Sequence, residues 1–189
     1  MNFDKIKDRV AYKLVNREKC RYLLEDIPHT DFLDLTFVYY IIVHMDDMGV
    51  DTVLIRNEYL DEWGISDTEL FEISAKNFNL LFNMQLAGVS GDEMQSTQKL
   101  IMATTKYKMF GAVYMADLSL IGAFSEIFDD DVCIIPSSVH EIILMPASGI
   151  NREDMDSIIQ SVNEEAVRED EYLSDHMYLY EKKERRIVY

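Results

Sequence analysis

The chain has 189 residues, 48% of them apolar, including nine Phe, eleven Tyr and eleven Met; that is enough buried surface to offset the entropy of ordering, and disorder of the whole is excluded. Eighteen basic residues stand against 35 acidic ones, a net charge of −17, which disfavours nucleic acid and anionic membrane, since both are held largely by Lys and Arg on phosphate. No apolar run approaches the roughly 18 residues of a membrane span and no signal core follows Met1, so a cytoplasmic chain forming one domain over 1–189 is expected.

Phe3, Ile6, Val10 and Leu14 recur at helical spacing with charged residues between them, and a further turn or two runs through Cys20 to Glu25. An N-terminal helix over 3–25 is predicted, ended by Pro28, whose ring removes a donor and restricts the residue before it. Residues 33–43 read LDLTFVYYIIV, apolar on both alternate sets of positions, which predicts a central strand buried on both faces. After a polar turn, 51–56 looks like its antiparallel hairpin partner. Ser66-Asp67-Thr68-Glu69 has the pattern of a capping box, so a helix should start there and run through Leu70, Phe71, Ile73, Phe78 and Leu81.

Residues 84–98 have little periodicity and read as a mobile loop. Beyond Met109 the pattern predicts a strand (110–115), a helix (118–128) and strands at 132–135 and 141–145. A helix over 151–168 follows, capped by Asn151 and striped by Met155, Ile158, Ile159, Val162 and Ala166. The tail from Tyr178 to Tyr189 closes as a strand or hairpin. The class is α+β: a mainly antiparallel sheet of about five strands packed against helices. Gly64-Ile65-Ser66 and Gly149-Ile150-Asn151 each lead from a strand pair into an acidic helix start, which would make two related ββα halves; such capped helices are common enough that coincidence explains the echo equally well.

The densest polar constellation is Pro136-Ser137-Ser138-Val139-His140-Glu141, between two apolar strands. Ser137 or Ser138 as nucleophile, His140 as base and Glu141 as orienting carboxylate, with Asp175 or His176 brought in by the fold, would suit a hydrolase. Adjacent residues rarely assemble a triad, however, and no glycine-flanked elbow holds either serine. A turn in which the hydroxyls bond nearby amides and His140 braces the next strand is the stronger reading. His29-Thr30-Asp31, His44-Met45-Asp46-Asp47 and Asp129-Asp130-Asp131 lack diagnostic metal spacing, Cys20 and Cys133 form no CxxC pair, and no phosphate-binding glycine motif occurs. Neither cofactor nor metal is expected. Lys182, Lys183, Arg185 and Arg186, interleaved with Glu181 and Glu184, read as a solvated turn, and Trp63 as an anchor before a helix.

Several stretches together carry a family likeness: Lys13-Leu14-Val15-Asn16 through Ile27-Pro28-His29, Phe32-Leu33-Asp34-Leu35 with Val38-Tyr39-Tyr40, and Leu60 with Trp63-Gly64-Ile65. The Pro-Ser-Ser-Val-His-Glu segment and Leu173-Ser174-Asp175-His176 with Tyr178 complete it. The chain resembles a bacterial family described as a domain of unknown function. The resemblance implies that the last two segments are hallmarks, that Asn is usual where Cys20 stands, and that an upstream segment covers an apolar face; it implies no known activity. A non-enzymatic protein-binding or regulatory domain, docking a protein partner or a second copy, is therefore expected, with a hydrolase as the alternative.

Overall fold

The N-terminal segment departs at once from its helical spacing. Two short 3-10 turns, Phe3–Lys5 and Lys7–Arg9, lead into a strand, β1 (Val10–Asn16), and only then a helix, α1 (Arg17–Leu24). The helix predicted over 3–25 is corrected for a physical reason: Val10, Ala11, Leu14 and Val15 are all buried, so the stretch is apolar on both faces and suits a ladder between two packed layers. The computed structural model describes residues 2–46, 49–88 and 100–189, and its contacts gather into two units, Met1–Met84 and Gln85–Tyr189.

In the first unit the chain continues through β2 (His29–Phe32), β3 (Leu35–Asp46), β4 (Gly49–Leu54), α2 (Asn57–Trp63) and α3 (Asp67–Phe82). β3 is central: β1 pairs antiparallel along Leu35–Ile41, while β2 and then β4 pair along the other edge. One sheet face lies under α3, where the Tyr12 ring stands 4.9 Å from Phe37 and 5.4 Å from Phe78. The opposite face packs Val15 and Val38 against Leu24 of α1 and Ile27, with Cys20 beside them. Burial on both faces is what the unbroken apolar run of β3 requires. Ser66 and Glu69 form the expected capping box at the start of α3.

The second unit holds β6 (Ile101–Thr105), a 3-10 stretch (Gly111–Ala116), α4 (Leu118–Phe128), β7 (Val132–Ser138), β8 (Glu141–Pro146), α5 (Arg152–Ala166), β9 (Tyr178–Glu181) and β10 (Arg186–Val188). With β5 (Met84–Gly88), its sheet runs β10-β9-β7-β8-β6-β5. Cys133 and Met145 face α5 and pack on Ile159 and Met177; on the other face Gly122 of α4 lies against the Tyr180 ring. The class is α+β with antiparallel ladders, and the described residues form ten strands in two sheets rather than about five in one.

Two further expectations change. Met84–Gly88, the start of the loop expected over 84–98, is a strand, and the remainder of that loop lies outside the described residues. The strand predicted over 110–115 is a 3-10 helix. Phe110 takes a left-handed φ of 62°, and a Cβ on Gly111 would come within 2.6 Å of both the His140 carbonyl oxygen and Thr104 Cα. This apolar run is packed from every side, and its amides bond across to the β7–β8 turn instead of to a strand partner. The tail closes as the β9–β10 hairpin. The ββα echo is local: Gly64 and Gly149 both have left-handed φ, and Ser66 and Asn151 both cap the following helix. The preceding strand, however, pairs with the first hairpin strand in one unit and the second in the other. Among the described residues no helix is long and apolar enough to cross a membrane.

Candidate functional site

Ser138 pairs with Glu141 across the β7–β8 ladder, leaving Val139 and His140 as a two-residue turn, with a register shift between Ile135 and Ser138. The shift re-aims the serines at the strand end. Ser137 Oγ donates to Glu141 Oε1 at 3.3 Å, and Ser138 Oγ accepts the backbone N–H of His140 at 3.1 Å. Both hydroxyls thus serve the turn itself.

The turn is also gripped from outside. The His140 carbonyl accepts from Gly111 N at 2.9 Å and Thr104 Oγ1 at 2.8 Å, and Val139 N donates to the Glu171 carbonyl at 2.9 Å. The His140 side chain is 21% exposed; its Nδ1 accepts the backbone N–H of Phe110 at 3.2 Å, and its Nε2 lies 3.6 Å from Glu171 Oε1. An Nδ1 that accepts places the neutral ring's proton on Nε2, pointing at a carboxylate. In that tautomer neither nitrogen offers a lone pair to a serine, whereas a general base needs one within hydrogen-bond reach of its hydroxyl.

Asp175 lies in a different setting. It is exposed, in the segment between α5 and β9, and its backbone carbonyl accepts from Gln160. That segment is held by one stripe of α5: Arg152 donates to the Met177 carbonyl, Asp156 accepts from Met177 N, and Asn163 donates to the Ser174 carbonyl. Residues 152, 156, 160 and 163 fall on one helix face. His176 bonds the Met177 carbonyl through Nδ1 and stacks on Tyr189 at 5.5 Å. The structure therefore brings Ser137 to Glu141, and His140 to Phe110 and Glu171, but places Asp175 at the α5 clamp and His176 against Met177 and Tyr189.

Glu171, Phe110 and Thr104 were missed as partners of the turn because each arrives from a distant stretch of chain. The clamp had a readable signal, polar residues at helical spacing beside the apolar stripe of 155, 159 and 162. Among the motifs weighed for metal, His29 Nδ1 bonds the Ile27 carbonyl, and His44 Nε2 meets Asp46 at 3.0 Å, a hydrogen bond that raises the imidazole pKa; Asp47 lies outside the described residues. Asp129–Asp131 forms the turn into β7, where burial pulls the Asp130 carboxyl up but the Ser148 and Asp131 hydrogen bonds bring it net below its ordinary value. Among the described residues no group of three or more His, Cys, Asp or Glu is placed to hold a metal ion.

Compared with known proteins, residues 1–182 match a family of unknown function (DUF5688). No curated protein and no solved structure matches the chain.

Proposed function

We propose, from the premise that the chain belongs to this family of unknown function, that it is a non-enzymatic binding domain whose acidic surface docks a basic protein segment. The observation that carries the non-enzymatic part is the Phe110 N–H on His140 Nδ1: the one base of the Ser-His-Glu segment is committed to the backbone. Docking is supported by α5. Its outward side presents Ile158 and Val162, 56% and 50% exposed, between Asp154 and Glu165. An apolar pair bracketed by acids suits an amphipathic basic segment, and the net charge of −17 favours such a partner over a second, equally negative copy.

The test pairs capture with chemistry. Cross-linking in lysate of the source cell at low salt should retain a basic protein that is lost in 0.5 M NaCl and lost with the surface variant Ile158→Ser/Val162→Ser, which leaves the core untouched. Retention indifferent to both, or no retention, would sink the docking reading. For the turn, a fluorophosphonate should leave Ser137 and Ser138 unlabelled; labelling that disappears in His140→Ala while the fold persists would establish the hydrolase instead.

A further inference from the structure

Between α4 and the β9–β10 hairpin runs a groove of about 480 Å³, lined by Leu118, Gly122 and Ala123 along the helix and by Tyr180, Lys182 and Arg185 on the hairpin side. That size lies within the range of small-molecule sites. From Leu118 to Glu126 the helix rises about 12 Å, at roughly 1.5 Å per residue. One end is apolar, with Leu118 45% exposed; the other carries Lys182 and Arg185 together with the Glu126 carboxylate.

Three details distinguish this groove from an ordinary surface crease. Gly122 opens it: a methyl group there would come within 3.1 Å of Tyr180 Oη. The Tyr180 ring is buried, the residue as a whole being 3% exposed, and its hydroxyl, which nothing among the described residues hydrogen-bonds, is the part that reaches the groove. The hydroxyl ends beside Gly122, where it can donate to a ligand in the groove. The third detail is the split between the two cations. Lys182 Nζ is already matched by Asp129 at 3.0 Å and Glu126 at 3.2 Å, whereas among the described residues no carboxylate pairs with the Arg185 guanidinium. Its neighbour Arg186, by contrast, is bound to Glu181 at 2.7 Å.

We infer that this groove binds a small carboxylate with a short apolar body. Its two oxygens would take the planar guanidinium fork of Arg185 and the Tyr180 O–H, both donors. Its body would lie along the glycine-and-alanine track of α4 towards Leu118. The site goes beyond the docking reading, because it uses α4 and the terminal hairpin rather than the outward side of α5. The Lys182–Arg186 cluster thereby has a use beyond a solvated turn: Lys182 fixes the hairpin to the end of α4, and Arg185 is left for the ligand.

The experiment titrates the full chain with hexanoate, hexanol and inorganic phosphate, following backbone amides by NMR. Hexanoate should give saturable shifts confined to 118–126 and 178–188. Arg185→Asn, chosen because Asn tolerates the left-handed φ of 52° at this position, should weaken binding at least about tenfold, the usual scale for a lost charge-assisted pair. Tyr180→Phe keeps the buried ring and should weaken binding about threefold or more while leaving the melting temperature unchanged, since among the described residues nothing bonds the hydroxyl. No saturable shift with hexanoate up to its solubility limit would overturn the site. So would hexanol binding equally well, phosphate binding equally well, or wild-type affinity in Arg185→Asn.

Discussion

Cys20 and Cys133 show how far one residue's chemistry depends on what the fold puts around it. In the sequence one sits among charges and the other in an apolar run, and the structure sharpens that contrast. Burial raises the Cys20 thiol while Lys13 pulls it back, and burial pushes the fully covered Cys133 up to about 12, against a smaller lowering by Arg152. At pH 8 a thiol at about 12 is only about one part in ten thousand thiolate, the reactive form. Ellman's reagent should therefore report one thiol in the native protein, absent in Cys20→Ala, and a second only on unfolding; two native equivalents would contradict the packing. Because Cys133 stays protonated in the folded state to a higher pH than in the unfolded chain, its contribution to stability is intact below the ordinary thiol value of 9.0 and falls as pH rises from there towards 12. His140 is the converse case. Its position in a turn was legible from Ser138 and Glu141 beside it, but its role was set by Phe110 and Glu171, about thirty residues away on either side, which no local pattern could reveal.

Elements whose determinants are local were legible, and those decided by a distant partner were not. The caps at Ser66 and Asn151 need only residues within one turn, and both formed as read. The spacing of Phe3, Ile6, Val10 and Leu14 fits a helix, and β1 forms instead because Leu35–Ile41 offers a full antiparallel partner. What fixes the entry to that strand is one side chain on α3: Asn77 donates to the carbonyls of Lys7 at 2.6 Å and Val10 at 2.8 Å, and is itself 7% exposed. Replacing Asn77 with Ala leaves two sheltered carbonyls without that donor and opens a small void. Each unsatisfied group costs on the order of 1–3 kcal/mol, so a total loss of about 2–6 kcal/mol is expected, read as a lower urea midpoint with an unchanged slope. Hydrogen exchange should be fastest over 3–16. A loss under about 0.5 kcal/mol, the scatter of neutral surface changes, would mean that water replaces the side chain freely and that the ladder alone holds β1.

At the scale of the whole chain, charge and local packing pull in opposite directions, and their magnitudes decide the outcome. The ion pairs Arg17–Asp31 and Arg168–Asp170 include partners 56% and 68% exposed, and pairs of that kind are worth about 0–1 kcal/mol each; Lys182 meets an Asp129 that is 95% exposed and adds little. Against them stands an excess of 17 negative charges, whose mutual repulsion is spread over the surface and acts on the folded state because it is the more compact one. Salt weakens both, with a Debye length of about 10 Å at 0.1 M and about 3 Å at 1 M. The attractions are few and short-ranged and survive that screening better than repulsions acting over longer distances. Raising sodium chloride from about 0.05 to about 0.5 M, which spans the screening transition, should therefore raise the melting temperature by a few degrees. Chloride is the right salt, since sulfate would stabilise by exclusion from the surface regardless of charge. A melting temperature that falls over that range would mean that the pairs outweigh the repulsion. The acidic surface would then be internally compensated, and the case for a basic partner would lose its electrostatic basis.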